Sequence, residues 1–133
     1  EATGSVVSEC DFVIVCLPLT SSTKGLINES ILNQMKPSAV LIDVSRGDIV
    51  DHNALIGALV NNKIAGAALD VFPKEPLSNE SSLWQFSNVL ISPHVAGASP
   101  EYLNRALNLF LENLNRHFNG NQLLNIVETK FGY

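Results

Sequence analysis

Three residues with complementary chemistry stand just beyond three apolar runs of this chain. Arg46 follows AVLIDVS (39–45), Glu75 follows IAGAALDVFPK (64–74) and His94 follows NVLISP (88–93). In a parallel sheet the C-terminal ends of the strands lie on one side, and ligands collect in the crevice there. A guanidinium, a carboxylate and an imidazole are therefore expected to meet at one rim. A planar, permanently charged fork grips a carboxylate, and an imidazole held by a carboxylate is a base suited to neutral pH. That set fits removal of a proton from a small hydroxy acid. Taken singly, each residue has a plainer reading: Arg46 as the ion-pair partner of Asp43, Asp48 or Asp51, Glu75 as a loop carboxylate, His94 as a surface or capping histidine.

The elements that must position these residues are legible in the pattern. The unbroken apolar run at 12–17, FVIVCL, bounded by Asp11 and Pro18, predicts a strand buried on both faces, the habit of parallel sheets. Asn28 is placed to cap a short helix running to Met35 and ended by Pro37. Residues 40–44 predict a second strand. Asp51 caps the next helix, whose apolar face is Ala54, Leu55, Ala58 and Leu59, and Asn61-Asn62 ends it. Residues 64–69 predict a third strand whose small residues Ala65, Gly66, Ala67 and Ala68 admit close approach by a helix or cofactor. A loop over 73–87 with a short turn at 82–86 leads to a fourth strand at 89–92. The last helix takes Ser99 as its cap, with Pro100 in its first turn and Glu101 at its positive end. Its apolar stripe is Leu103, Ala106, Leu107, Phe110, Leu111, Leu114 and Phe118, and Asn119-Gly120 stops it. This order is that of an α/β fold built on a parallel sheet.

Composition narrows the function. A length of 133 residues suits one domain, and 46% hydrophobic residues supply a sizeable core. A net charge of −5, with no cluster of Lys and Arg, argues against a nucleic-acid partner. The longest apolar run, 12–19, is too short to cross a bilayer, so no membrane partner and a cytoplasmic location are expected. Cys10 and Cys16 are expected as buried or half-buried free thiols of a reducing compartment. No Cys/His spacing marks a metal site, and His52 and His117 are expected to be solvated helix residues. The chain opens on Glu1 inside what reads as a connecting helix or loop, whereas LLNIVETKFGY reads as a natural end. It is expected to be the C-terminal piece of a longer protein.

Two further places can carry chemistry. Asp70 ends the third strand, where a carboxylate either accepts a hydrogen bond from a ligand amide or caps the strand end. Thr20, Ser21, Ser22 and Thr23 follow the first strand, where hydroxyls and amides either hold a phosphate or ribose or form a plain turn. The glycine-rich cradle GxGxxG that opens a dinucleotide fold is absent from these 133 residues.

Four stretches together, CLPLTSSTKGLIN (16–28), MKPSAVLIDVSRGDIVDHNAL (35–55), GAALDVFPKEPL (66–77) and NVLISPHVAG (88–97), resemble the NAD-binding domain of the D-isomer-specific 2-hydroxyacid dehydrogenases. The likeness covers about residues 5–127. It implies that residues 1–133 are the second half of a Rossmann-like parallel sheet with flanking helices, an incomplete dinucleotide-binding domain. It also implies roles. Arg46 would bind the carboxylate and carbonyl oxygen of a 2-hydroxy or 2-keto acid. His94 would be the acid/base, with Glu75 orienting and tuning it. Asp70 would hold the carboxamide of NAD or NADP. Leu17, Pro18 and Thr23 would line the adenosine and phosphate side, and Val44, Ser45, Arg46, His94 and Gly97 the nicotinamide side. Two departures matter: Asp43 stands where the family usually has asparagine, and Cys16 where it often has histidine. Asp43 could pair with Arg46 or change how its turn is held.

The leading expectation is thus an oxidoreductase that moves a hydride between NAD(P) and the CH–OH group of a D-2-hydroxy acid. The alternative is a nucleotide-sensing corepressor-type module of the same fold without turnover. Formate oxidation is disfavoured because that site carries an amide in place of the glutamate. Without the family's other half-domain, the strand at 12–17 becomes an apolar edge. The chain alone is therefore expected to self-associate, most simply as a homodimer, and to show no turnover and little NAD affinity.

Overall fold

This computed structural model describes residues 2–130. Helix α1 (Ala2–Val7) leads into strand β1 (Phe12–Val15), followed by α2 (Glu29–Leu32), β2 (Val40–Asp43), α3 (His52–Val60), β3 (Gly66–Leu69), a short 3-10 turn (Ser82–Gln85), β4 (Val89–Ile91) and α4 (Tyr102–Phe118). The four strands are all parallel and lie in chain order, β1-β2-β3-β4. This is the α/β parallel sheet that the apolar runs predict, and it is Rossmann-like, as the resemblance implies.

The register aligns the strand ends. Val15 faces Asp43, Asp43 faces Leu69 and Leu69 faces Ile91. The last ladder bonds run from Val44 N to Val15 O, Asp70 N to Asp43 O and Ser92 N to Leu69 O, at 2.9–3.1 Å. Beyond that level the chains splay, so the strands stop short of Leu17, Val44 and Ser92, and those residues form a rim instead. At its other end β3 begins with Gly66 opposite Val40, which leaves Ile64 and Ala65 outside the strand.

The capping chemistry is as expected at two helices. The Asn28 side chain accepts from Ile31 N at 3.2 Å, and Asp51 accepts from Asn53 N and Ala54 N at 2.9 and 3.1 Å. Helix α2 is shorter than expected, since its hydrogen bonds give way to turns before Met35. At α4 the expected cap is wrong. Glu101 is the cap residue and makes no side-chain cap bond, while the Ser99 carbonyl accepts from Tyr102 N at 3.1 Å in a preceding turn. Gly120, at φ +68°, ends that helix in the left-handed conformation glycine tolerates.

Right-handed crossovers between strands in sequential order put α2 and α3 on the same face of the sheet. Leu32, Leu55, Ala58 and Leu59 of these helices pack there with Val15, Leu41, Ala67 and Leu69 of the sheet to form the core, together with Ile27, Ile49, Val50 and Ile64. The opposite face stays open. Phe12 and Ile14 are 64% and 61% exposed and Leu90 is 74% exposed, so β1 is buried on one face, not two. No residue of α4 is buried. Gly66 does admit a close neighbour, but it is the Asn88 backbone carbonyl, which a side chain at residue 66 would strike. Cys10 is half-buried and Cys16, contrary to expectation, is exposed; both are free. Among the described residues no helix is long and apolar enough to cross a membrane.

Candidate active site

The rim is assembled from the turns that follow β2, β3 and β4. After β2 the buried Asp43 organises the first of them: Ser45 donates to its Oδ1 from both backbone N (3.0 Å) and side-chain hydroxyl. Arg46 then folds back, its Nη1 donating to Ser45 O at 2.7 Å. The three acids that could have neutralised Arg46 are engaged elsewhere. Asp43 holds Ser45, Asp48 pairs with Lys24 at 3.2 Å, and Asp51 caps α3. Arg46 forms no ion pair among the described residues, and it is exposed and lines the cleft, where a free guanidinium could accept an anion.

After β3 the backbone turns at Phe72, whose N–H donates to Glu75 Oε1 at 3.0 Å. The other oxygen, Oε2, meets His94 Nδ1 at 2.8 Å. The hydrogen bond from His94, then that from Phe72, hold the Glu75 carboxyl below its usual pKa. With Nδ1 committed to Glu75, Nε2 is the ring nitrogen left for other chemistry, an arrangement that suits a general acid/base. His94 has a backbone φ of +55°, uncommon for a residue with a side chain and costing about 1–3 kcal/mol unless surrounding contacts hold it.

Those contacts come from Asp70. Its Oδ1 accepts from Ser92 Oγ and, at 2.8 Å, from Val95 N, and its Oδ2 accepts from Ala96 N at 2.8 Å. Burial alone would raise the Asp70 pKa; the bonds from Ser92, Ala96 and Val95 and the nearby His94 outweigh it and leave it lowered. Sequence reasoning left Asp70 as ligand contact or strand cap. It holds the loop on both sides of His94, and it also lines the cleft.

Two cavities make a continuous trough along the rim. One, of about 610 Å³, is lined by Cys16, Leu17, Pro18, Leu19, Val44, Ser45 and Arg46. The next, of about 440 Å³, shares Val44 and Arg46 and adds Asp70, His94, Gly97 and Tyr102 among others. The sequence-predicted residues Leu17, Pro18, Val44, Ser45, Arg46, Asp70, His94 and Gly97 all fall on this trough. Thr23 does not: its hydroxyl donates to Pro18 O at 2.7 Å and accepts from Thr20 N at 2.8 Å, so it shapes the turn behind Pro18. A third cavity, about 610 Å³, opens on the far side of the Glu75–His94 pair and is walled by Leu77, Asn79, Trp84 and Ile91.

Sequence reasoning passed over Tyr102, which lies outside the quoted motifs, and Ser92 and Phe72, which lie inside them but whose hydroxyl and backbone N–H gave no signal of their own. It also misplaced His52. That ring lies edge-on to Phe72, with centroids 5.9 Å apart, and its Nε2 is buried without a partner. Burial lowers the His52 pKa, against the opposing charges of Asp43, Asp51 and Asp48. It is not a solvated helix residue, because the first turn of α3 sets its ring against the start of the loop that carries Glu75.

Residues 2–96 match the family described as D-isomer specific 2-hydroxyacid dehydrogenase, NAD binding domain. The chain belongs to this family. It is 46% identical over 109 residues to a glyoxylate reductase of Pyrococcus furiosus, covering 82% of this chain and 32% of the relative. It is 40% identical over 126 residues to glyoxylate/hydroxypyruvate reductase B of Cronobacter sakazakii, covering 95% of this chain and 39% of the relative. In three dimensions it matches a D-isomer specific 2-hydroxyacid dehydrogenase from Xanthobacter autotrophicus Py2, solved with NADPH and MES. The TM-score is 0.92 at 40% identity, over 99% of this chain and 54% of that one. The chain thus spans about a third to a half of the proteins it resembles. As an NAD-binding domain of this family it carries Arg46, Glu75 and His94 on the stretches that resemble the family's motifs.

Proposed function

We propose that the complete protein is an NAD- or NADP-dependent reductase of small 2-keto acids, of the glyoxylate and hydroxypyruvate class, working also in reverse on D-2-hydroxy acids. The observation that carries this reading is the Glu75–His94 contact of 2.8 Å beside an Arg46 with no anionic partner among the described residues, His94 and Arg46 lining one cavity. Relatives named as glyoxylate and hydroxypyruvate reductases support the substrate class. A Sinorhizobium meliloti glyoxylate/hydroxypyruvate reductase solved with NADP, 30% identical at a TM-score of 0.90, supports the cofactor.

The trough fits such a cofactor. Leu17 and Val44, 41% and 38% exposed, give it an apolar floor at the strand ends, and Gly97 leaves open space above. Leu17, Pro18, Val44, Ser45, Asp70 and Gly97 are the residues that would hold it. When bound, the nicotinamide ring supplies or accepts the hydride. Arg46 would bind the substrate carboxylate and hold the 2-carbon beside His94, the two side chains lining one cavity. In reduction His94 Nε2 delivers a proton to the carbonyl oxygen; in oxidation it removes the hydroxyl proton. Glu75 holds the ring orientation through Nδ1 and stabilises its charged form. These 133 residues carry no glycine-rich phosphate cradle, so we assign turnover to the complete protein and not to this chain alone.

The test is consumption of NADPH or NADH by the complete protein with glyoxylate and hydroxypyruvate. His94→Gln is expected to lower kcat by about 10²–10⁴-fold with cofactor affinity retained. Arg46→Gln is expected to act mainly on the KM of the keto acid. Wild-type protein that consumes neither cofactor with any 2-keto acid, or a fully active His94→Gln, refutes the proposal.

A further inference from the structure

We propose that Ser92 is a positioning residue for the acid/base His94, acting through Asp70. The inference rests on the catalytic reading of His94 given above. Asp70 is 4% exposed and fixed at the end of β3, its own N–H donating to Asp43 O at 2.9 Å. Its carboxylate takes bonds from residues on both sides of His94: Ser92 Oγ before it, Val95 N and Ala96 N after it. The stretch 92–96 is therefore clasped across one rigid carboxylate. Between the jaws His94 adopts φ +55° and reaches Glu75.

A left-handed backbone at a histidine does not persist by itself; local contacts must over-determine it. Val95 and Ala96 hold the loop by backbone groups that no side-chain substitution removes. Ser92 is the side-chain member of the clasp. It shares Oδ1 with Val95 N, so its hydroxyl also fixes the carboxylate rotamer in which Oδ2 meets Ala96 N. Losing it frees Asp70 to turn, and the Nδ1–Oε2 contact with Glu75 then loses its geometric support. Ser92 lines the cavity beyond the Glu75–His94 pair and a second one along β4, but neither of the two that Arg46 lines. Its hydroxyl is committed to Asp70, so its effect on the chemistry runs through that carboxylate.

The charged groups around Asp70 are His94 on the loop it clasps, Glu75 beyond β3 and Arg46 beyond β2. Among the contacts of Asp70 the Ser92 hydrogen bond is the one that most favours the ionised carboxyl. Its removal moves Asp70 protonation, and with it release of the clasp, to higher pH.

The experiment compares Ser92→Ala and Ser92→Thr in the complete enzyme. Ser92→Ala is expected to lower kcat about 10- to 100-fold, as for a misplaced catalytic group. The NADPH dissociation constant is expected to change less than kcat, because Asp70 is the one cofactor-side residue that the lost hydroxyl releases. The acid limb of its pH–rate profile should shift to higher pH, and Ser92→Thr, which keeps the hydroxyl, should restore both. A Ser92→Ala enzyme with wild-type kcat and pH profile overturns the proposal. Should the wild-type protein lack turnover, the function reading fails first, and a crystal structure of Ser92→Ala still decides the positioning claim. A left-handed His94 still 2.8 Å from Glu75 there refutes it; a relaxed backbone and a lengthened contact support it.

Discussion

Asp43 shows how one buried side chain can shape a turn at the rim of the sheet. It is fully buried, its Oδ1 holds Ser45, and neither its Oδ2 nor the Nε2 of the neighbouring His52 has a hydrogen-bond partner among the described residues. Burial raises the Asp43 pKa, opposed by the side-chain and backbone bonds from Ser45 and by His52. The sign of the linkage follows. A carboxyl whose pKa is raised on folding stabilises the fold most below its unfolded value, and that contribution is lost as pH rises through the folded pKa. His52 is depressed, so its contribution is present above the unfolded histidine value and lost as pH falls through its folded pKa. Asp43→Asn removes the first titration and keeps an acceptor for Ser45. The variant is expected to gain on the order of 1 kcal/mol at neutral pH and to lose the decline on the acidic side of neutrality. Denaturant unfolding across that pH range measures it, and an Asp43→Asn protein less stable than wild type at neutral pH contradicts the argument. At this position, where the resemblance implies asparagine, a carboxylate could pair with Arg46 or change how its turn is held; Asp43 grips that turn at Ser45. Pairing of Asp43 with Arg46, the other expectation, does not occur.

At the scale of elements, the turns after β2 and β3 are pressed together. A methyl group on Gly47 would overlap the carbonyl of Phe72 and the nitrogen of Pro73. Those atoms begin the loop that carries Glu75, so Gly47 sets how closely the Arg46 turn approaches that loop. Gly47→Ala is expected to destabilise the protein by about 1–3 kcal/mol, the usual cost of overpacking. Because the displaced turn carries Arg46, the KM for keto acid should rise more than kcat falls; equal loss in both, or none, would show that the contact does not set the site. The strands, the Asn28 and Asp51 caps and the Gly120 stop were legible because each depends on a few adjacent residues. Ser99 was misread as a cap because a side chain that can cap says nothing about where helical hydrogen bonding begins. The clasp on Asp70 was invisible for another reason: its partners lie 22 to 26 positions away in the chain.

At the scale of the molecule, the open sheet face and α4 present a common problem. Phe12, Ile14 and Leu90 on the sheet, and Leu103, Leu107, Phe110, Leu111 and Phe118 on α4, are each more than half exposed. β1 is an edge strand, with its outer hydrogen-bonding groups unpaired by any strand among the described residues. The 133-residue chain by itself is expected to self-associate, and Phe110→Glu with Leu111→Glu to reduce its apparent mass in sedimentation equilibrium. A clean monomer at micromolar concentration before substitution would count against the idea. What the sequence by itself determined is the set of parts: parallel strands from unbroken apolar runs, helix starts from capping side chains, and three chemical groups each just past a strand. Those depend on local periodicity and on which atoms a side chain carries. Only the tertiary structure decided that one face of the sheet is covered, that Arg46 pairs with no acid among the described residues, that the His52 Nε2 is buried, and that Asp70 grips the loop around His94. These depend on register and on crossover handedness, which bring distant residues within hydrogen-bond reach and which no local pattern encodes.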